Sequence, residues 1–243
     1  MENESAKSQT LKAILGLRGL IVDGELIPGT RVSEPLIIKY FGVSRTPARM
    51  ALMQTFEEGL LERHGKSSYV VRAFSEEDMF QAIEVRGSLE GMAARLAAEG
   101  KATPAIIAEM QKCVVELDDV VSGVTQATDQ DAYVKLNDQF HNLLLEASGS
   151  QIVERGLKHI KTLPFASPNA FVKSLSLNMP AVKRILIMAQ EQHRMIVEAI
   201  RYGKGTRAQA LALEHSLCAT RYLQLLRSME SEIPFMSKNQ KVK

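Results

Sequence analysis

The sequence predicts a mainly α chain: an N-terminal winged helix-turn-helix over residues 1–73, then an all-α helical bundle over residues 74–243. Three observations predict it. Leu, Ala, Glu and Met are plentiful, aromatics are only 5% and Trp is absent; unbranched side chains lose little rotamer freedom in a helix. Apolar residues recur at helical spacing through most of the chain, between glycine and proline breaks. Residues 60–72 alone read as a β-hairpin.

Taken in order, residues 1–7 are polar and expected to be loose. Residues 9–22 carry Leu11, Ile14, Leu15, Leu17, Leu20 and Ile21 at helical spacing, and Asp23-Gly24 stops that run. Pro28-Gly29 makes a turn. Ser33 can cap a short helix to about Tyr40, with Pro35 in its first turn. Gly42 turns the chain, and Ser44 can cap a third helix with Ala48, Ala51, Leu52 and Phe56 on one face. Gly59 ends it. The runs 60–64 and 69–72, around Gly65-Lys66-Ser67-Ser68, form the hairpin, or wing.

After Ser75 the character changes. Residues 76–99 read as one long amphipathic helix, followed by helices at about 103–122, 129–147, 150–161, 179–202 and 205–230. The stretch 162–179 holds prolines and room for a short helix, and the Lys-rich end from about residue 233 is expected to be loose.

Bulk properties exclude some classes of function. No run approaches the ~18 apolar residues of a membrane span, and the polar N-terminus lacks a signal-peptide core. Cys113 and Cys218 are the only cysteines and no CxxC motif occurs, so both read as buried thiols of a reduced cytoplasm. Net charge is only +2, and residues 1–73 carry 10 Lys/Arg against 8 Asp/Glu. Any nucleic-acid contact must therefore come from local placement of cations.

Such placement exists at the start of the third helix. Arg45 and Arg49 are four apart and share a face. An arginine there can bond guanine O6 and N7, while Ser44, Thr46 and the free N–H groups of the helix start suit phosphate oxygens. At the wing, His64, Gly65 and Lys66 can touch the backbone or minor groove. Spacing alone equally allows Arg45 and Arg49 to be a solvated face.

The run Leu20-Ile21-Val22-Asp23-Gly24-Glu25-Leu26-Ile27-Pro28-Gly29-Thr30-Arg31-Val32-Ser33-Glu34, then Val43-Ser44-Arg45-Thr46-Pro47-Ala48-Arg49-Met50-Ala51-Leu52, then Glu58-Gly59-Leu60-Leu61, resembles the DNA-binding domain of GntR-family regulators. The resemblance implies a double-stranded operator as partner and adds Arg31 to the DNA-contacting set. Met50 stands where the family usually has Glu, and Pro35 where many members carry a DNA-contacting Arg.

In the second part, Asn137 and His141 are four apart on one helix, with His193 and His215 on the two later helices. A bundle can bring such helices around one point, where three imidazoles and an amide oxygen could hold Zn²⁺ or Ni²⁺. A lone histidine on a helix is more often a core or surface residue. Val85-Arg86-Gly87-Ser88-Leu89-Glu90-Gly91-Met92-Ala93-Ala94-Arg95 resembles the first helix of the FCD sensor domain of the FadR-like GntR branch. Asn137-Asp138-Gln139-Phe140-His141 and Gln192-His193-Arg194-Met195-Ile196-Val197-Glu198, with His215 beyond, resemble its later motifs.

The resemblance implies that Asn137, His141, His193 and His215 bind a divalent metal, that the metal holds a carboxylate, and that Arg86 assists. Arg86 can equally pair with Glu90, four residues on. Within the branch the pieces are most similar to vanillate-responsive repressors. That makes a hydroxylated or methoxylated aromatic acid the first expectation for the ligand, its ring against apolar faces including Phe140. The whole reads as a cytoplasmic homodimeric repressor released by a small acid. Two rivals stay open: a DNA-binding regulator whose metal is purely structural, and a metal-dependent hydrolase, although no HExxH motif is present.

Overall fold

The computed structural model describes residues 2–22, 24–65, 68–122, 130–170, 172 and 179–229. Contacts divide them into two units that part between Asp78 and Met79.

The first unit opens with α1 (Glu2–Val22). This corrects the expectation of a loose start. Glu, Ala and Lys are good helix formers, and acidic residues at a helix N-terminus suit its dipole. A short strand β1 (Arg31–Val32), not foreseen from the sequence, precedes α2 (Glu34–Phe41) and α3 (Arg45–Glu57). Ser33 and Ser44 stand at the two N-cap positions, but neither side chain makes a capping hydrogen bond. The hairpin is β2 (Leu61–His64) and β3 (Ser68–Val71). β3 is the middle strand, antiparallel to both neighbours, with Arg31 opposite Val70 and Arg63 opposite Tyr69.

The core of this unit is Ala13, Leu17 and Ile21 of α1 with Ile37, Ala48, Ala51, Leu52, Leu60 and Val71. Arg18 of α1 clamps Glu58, just past α3, through Nη2 to Oε1 at 2.6 Å and Nε to Oε2 at 3.1 Å. Phe56, expected on one face with Ala48, Ala51 and Leu52, is half-buried. Its ring lies 5.6 Å from that of Tyr69, and Arg63 sits over its face. It thus ties the hairpin to α3.

The second unit is all-helical: α4 (Glu76–Leu96), α5 (Pro104–Ser122), α6 (Gln130–Ala147), α7 (Gln151–Ile160), α8 (Pro180–Arg201), α9 (Gly205–Ser216) and α10 (Cys218–Ser228). α4 starts on a capping box: Ser75 N–H donates to Asp78, and Asp78 N–H to Ser75 Oγ. A π turn, Ala97–Lys101, takes over at its end, where Gly100 adopts φ 98°. α5 packs on α6 and α8, and α8 packs on α9.

Two differences from the expected helices matter for the site. The stretch 162–179 includes a 3₁₀ turn, Pro164–Ala166, and Val172 is also in 3₁₀ conformation. The helix expected at 205–230 is broken at Leu217 into α9 and α10. A helix end leaves its last carbonyls without partners, and the Ser216 carbonyl at this break accepts from Arg86 Nη2 at 3.3 Å. α9 can come this close because α4 carries glycines: a Cβ on Gly87 would lie 2.0 Å from Ser216 Oγ, and one on Gly91 3.0 Å from the Gln209 carbonyl oxygen.

Candidate functional site

Helical spacing puts Asn137 and His141 on one face of α6, and packing turns that face toward α8 and α9. His193 is 0% exposed, His141 3% and His215 7%. Their Nε2 atoms converge: His193 and His215 are 3.0 Å apart, His215 and His141 3.4 Å. One ligating atom from each lies within 4.8 Å of the others. Two imidazole nitrogens held at roughly 2.1 Å by one ion stand about 3.0–3.4 Å apart, so the spacing suits a shared cation.

The other nitrogen of each ring faces an oxygen. His193 Nδ1 lies 3.0 Å from Gln190 Oε1, and His215 Nδ1 lies 3.3 Å from Gln192 Oε1. His141 Nδ1 lies 3.0 Å from Glu90 Oε1, off the line of a well-aligned hydrogen bond. The Gln190 orientation is determined, because its Nε2 donates to the Val114 carbonyl and to Asp118. With the ring protons on the Nδ1 atoms, toward these oxygens, three Nε2 lone pairs would point together. That is the outer arrangement of a metal-ligating histidine set, and without a cation it is repulsive.

Asn137 has a matching feature. Asn169 Nδ2 donates to the Val134 carbonyl and to Asp138 Oδ1, so its own Oδ1 accepts from Asn137 Nδ2 at 3.0 Å. Asn137 Oδ1 is left buried without a partner, a neutral oxygen available to a cation. Asn137, His141 and His215 also line one cavity of about 20 Å³, together with Arg86, Tyr133, Cys218 and Tyr222. Room of that size suits one water molecule.

Arg86 and Glu90, each 2% exposed, form a buried pair with Nη1 donating to Oε2 at 3.0 Å. Both readings of Arg86 thus have a structural basis: it pairs with Glu90, and it lines the cavity. Burial pushes the Glu90 carboxyl up, but His141 and Arg86 outweigh it and hold the group ionised. Phe140, expected to meet a ligand, is fully buried behind the imidazoles, its ring 4.0 Å from that of His193. It is not among the residues that line the cavity.

Burial, then the neighbouring imidazoles, keeps His193 well below its ordinary pKa and brings His215 to about 3; burial also lowers His141. All three are neutral at pH 7 and able to ligate. In the unfolded chain the same groups take a proton near pH ~6.5. A lowered folded-state pKa means that stability is full above that value and falls as the pH drops through it, for His215 down to about 3. Chelator-treated protein is expected to lose roughly 1 kcal/mol through His215 between pH 7.5 and 5.5, with His193 and His141 adding losses of the same sign. Urea unfolding reads this, and an unchanged midpoint would contradict the neutral triad.

In the first unit, Arg31, Ser44, Arg45, Thr46, Arg49, His64 and Gly65 are all exposed. Arg49 Nε donates to Glu34 Oε1 of α2 at 2.8 Å while staying 69% exposed. Lys66 lies outside the described residues. Met50 and Met53 add exposed apolar surface to α3.

Several residues around the centre escaped the sequence reading. Gln190 had a faint signal, being three residues before His193 on one face of α8. Gln192 stood in the quoted His193 motif without a role, since it adjoins His193 yet serves His215. Asn169, Tyr133 and Tyr222 come from segments with no motif.

Comparison with known proteins adds the following. The family model described as "Bacterial regulatory proteins, gntR family" matches residues 9–71, and the FCD domain model matches residues 81–217. HTH-type transcriptional regulator LutR of Bacillus subtilis is 28% identical over 213 residues, covering 81% of this chain and 92% of that protein. A probable D-xylose utilization operon transcriptional repressor of Paenarthrobacter nicotinovorans is 28% identical over 204 residues, covering 82% and 81%. An uncharacterized HTH-type regulator of B. subtilis, YdhC, is 26% identical, but the match spans 60% of this chain and only 64% of that protein. Among solved structures, E. coli McbR/YncC superposes with a TM-score of 0.62 at 19% identity, covering 92% of this chain and 99% of the other. That likeness bears on fold alone. No helix among the described residues is long and apolar enough to cross a membrane.

Proposed function

Given that this chain belongs to the GntR family of bacterial regulatory proteins and carries an FCD domain, we propose that it is a repressor released from its operator by a small carboxylic acid. Transcription regulation and operator binding, typically as a dimer, come with the family. The effector, its anchor and the residues that contact DNA are the proposal.

One observation carries it: the Nε2 atoms of three buried imidazoles converge, and each Nδ1 has an oxygen within 3.3 Å behind it. Asn137, His141, His193 and His215 would hold a divalent cation, Zn²⁺ or Ni²⁺ by ligand type. When bound, the ion supplies a Lewis-acidic anchor for a carboxylate. Arg86 adds positive charge at the same cavity and orients the acid, while the surrounding burial excludes water. The expectation of an aromatic acid such as vanillate stands beside a size constraint. A cavity of about 20 Å³ has room for about one water molecule, so any carboxylic acid requires its walls to part, and a substituted ring requires more than a compact acid.

Residues 1–73 would take the DNA, with Arg45 and Arg49 over base edges, Ser44 and Thr46 on phosphates, and Arg31 and the wing beside the backbone. Two copies, meeting through residues 74–243, would present two such units to two half-sites. The acid then lowers DNA affinity by as much as it prefers the state that binds the operator less well.

The test is a thermal-shift screen of metal-loaded protein against carboxylic acids, aromatic and aliphatic, followed by gel shifts on operator DNA. An acid at ~100 times its Kd stabilises by roughly 2.7 kcal/mol, and the same acid is expected to release the DNA. No response to any acid, with metal bound and DNA binding intact, would favour a structural metal. Arg49→Ala is expected to weaken operator binding by about tenfold or more, the size of a lost base contact. Unchanged binding would remove Arg49 from the reading surface.

A further inference from the structure

Arg45 and Arg49 stand one turn apart on α3 and both are exposed, yet they are held differently. Arg45 has no hydrogen bond or ion pair among the described residues. Arg49 Nε donates to Glu34 Oε1 of α2 at 2.8 Å. That bond uses the inner nitrogen of the guanidinium and leaves the Nη1–Nη2 pair free to fork onto guanine O6 and N7. The brace comes from the firmer side: the Glu34 side chain is 29% exposed against 69% for Arg49, and it stands in the first turn of α2 beside Pro35. An exposed pair of this kind adds little to folding stability. It does place a carboxylate on the surface that faces DNA in the reading above, where it repels phosphates whatever the base sequence.

We propose that Glu34 is a positioning residue for operator discrimination: it presets the Arg49 guanidinium for a base edge and keeps it from phosphates. The proposal rests on the reading of Arg49 as a base contact and deepens it. A side chain already held at one nitrogen loses less freedom when it meets its base. On DNA that lacks that base the carboxylate remains beside the phosphates with nothing gained in return, so sequence-independent binding is held down. Glu34 therefore acts on the two kinds of binding in opposite directions, although it need not touch DNA itself.

The experiment measures fluorescence anisotropy of two labelled duplexes with full-length wild type, Glu34→Ala, Glu34→Gln, Arg49→Ala and the double variant Glu34→Ala/Arg49→Ala. One duplex is enriched by wild type from a random-sequence pool, and the other has the same composition in shuffled order. Thermal midpoints check that each variant folds. Glu34→Ala is expected to weaken binding to the enriched duplex and strengthen binding to the shuffled one, so that the ratio of the two affinities falls about tenfold. The salt dependence on the shuffled duplex is expected to steepen by about one ion, as Arg49 turns to a phosphate. Glu34→Gln still offers Arg49 Nε an acceptor but no charge; it is expected to keep more of the enriched-duplex affinity and to show the same gain on the shuffled one. With Arg49→Ala already present, the Glu34 change is expected to leave the ratio within about twofold. A role confined to the start of α2 would instead lower the thermal midpoint and both affinities together. That result, or an unchanged ratio in Glu34→Ala while Arg49→Ala loses the enriched duplex, overturns the role of Glu34 and leaves Arg49 as a base contact. Wild-type binding of the enriched duplex by Arg49→Ala overturns both.

Discussion

The His215→Ala protein is expected to lose affinity for Zn²⁺ or Ni²⁺ by more than about 100-fold while remaining folded. His215 is the middle of the triad, its Nε2 3.0 Å from His193 and 3.4 Å from His141. Removing it leaves two imidazoles and one amide oxygen, a set that no longer closes around an ion. Second-layer changes at metal centres cost about 10–100-fold, so a lost ligand is expected to cost more. In metal-free protein the same change relieves crowded lone pairs, so the fold is expected to lose little. Competition against a chromogenic chelator reads the affinity, and urea unfolding in chelator reads the fold. Metal retained at wild-type affinity would remove His215 from the ligand set. Gln192→Leu, which frees the His215 Nδ1 side, is expected to cost about tenfold in the same assay.

Arg86→Met is expected to give the largest loss of stability, about 3–5 kcal/mol. Arg86 and Glu90 are both 2% exposed, and Arg86 also ties α4 to the Ser216 carbonyl. Without the guanidinium, Glu90 is a buried carboxylate whose remaining polar neighbour is the neutral His141 ring. The double variant Arg86→Met/Glu90→Met is expected to recover most of the loss, because replacing both partners of a buried pair by apolar groups is often near neutral. It is not expected to recover metal affinity, since His141 Nδ1 loses its oxygen. Equilibrium unfolding of the single and double variants separates the two effects. A single variant within about 1 kcal/mol of wild type would show the pair to be dispensable.

Legibility differed from one part of the chain to the other. In the first unit nearly every element followed local rules. Asp23-Gly24, Gly42 and Gly59 bounded the helices, and the wing fell within a residue of its expected limits. What was missed was β1, two residues long, which exists because β3 offers it an edge. In the second unit the helices were legible and their ends were not always so. The break at Leu217 carries no Gly or Pro; the close approach of α9 to Gly87 and Gly91 accompanies it.

The sequence by itself determined that Asn137 and His141 share a face of one helix, that His193 and His215 lie on the next two, and that Arg86 and Glu90 can meet. Those are consequences of 3.6 residues per turn. It did not determine that three Nε2 atoms converge, that Gln190 and Gln192 each serve a different histidine, that Phe140 stands behind the rings, or that the cavity is small. These depend on distances between helices, which are decided by the side chains that interlock across the unit. Local periodicity chooses the face a residue occupies, and only packing chooses what that face meets.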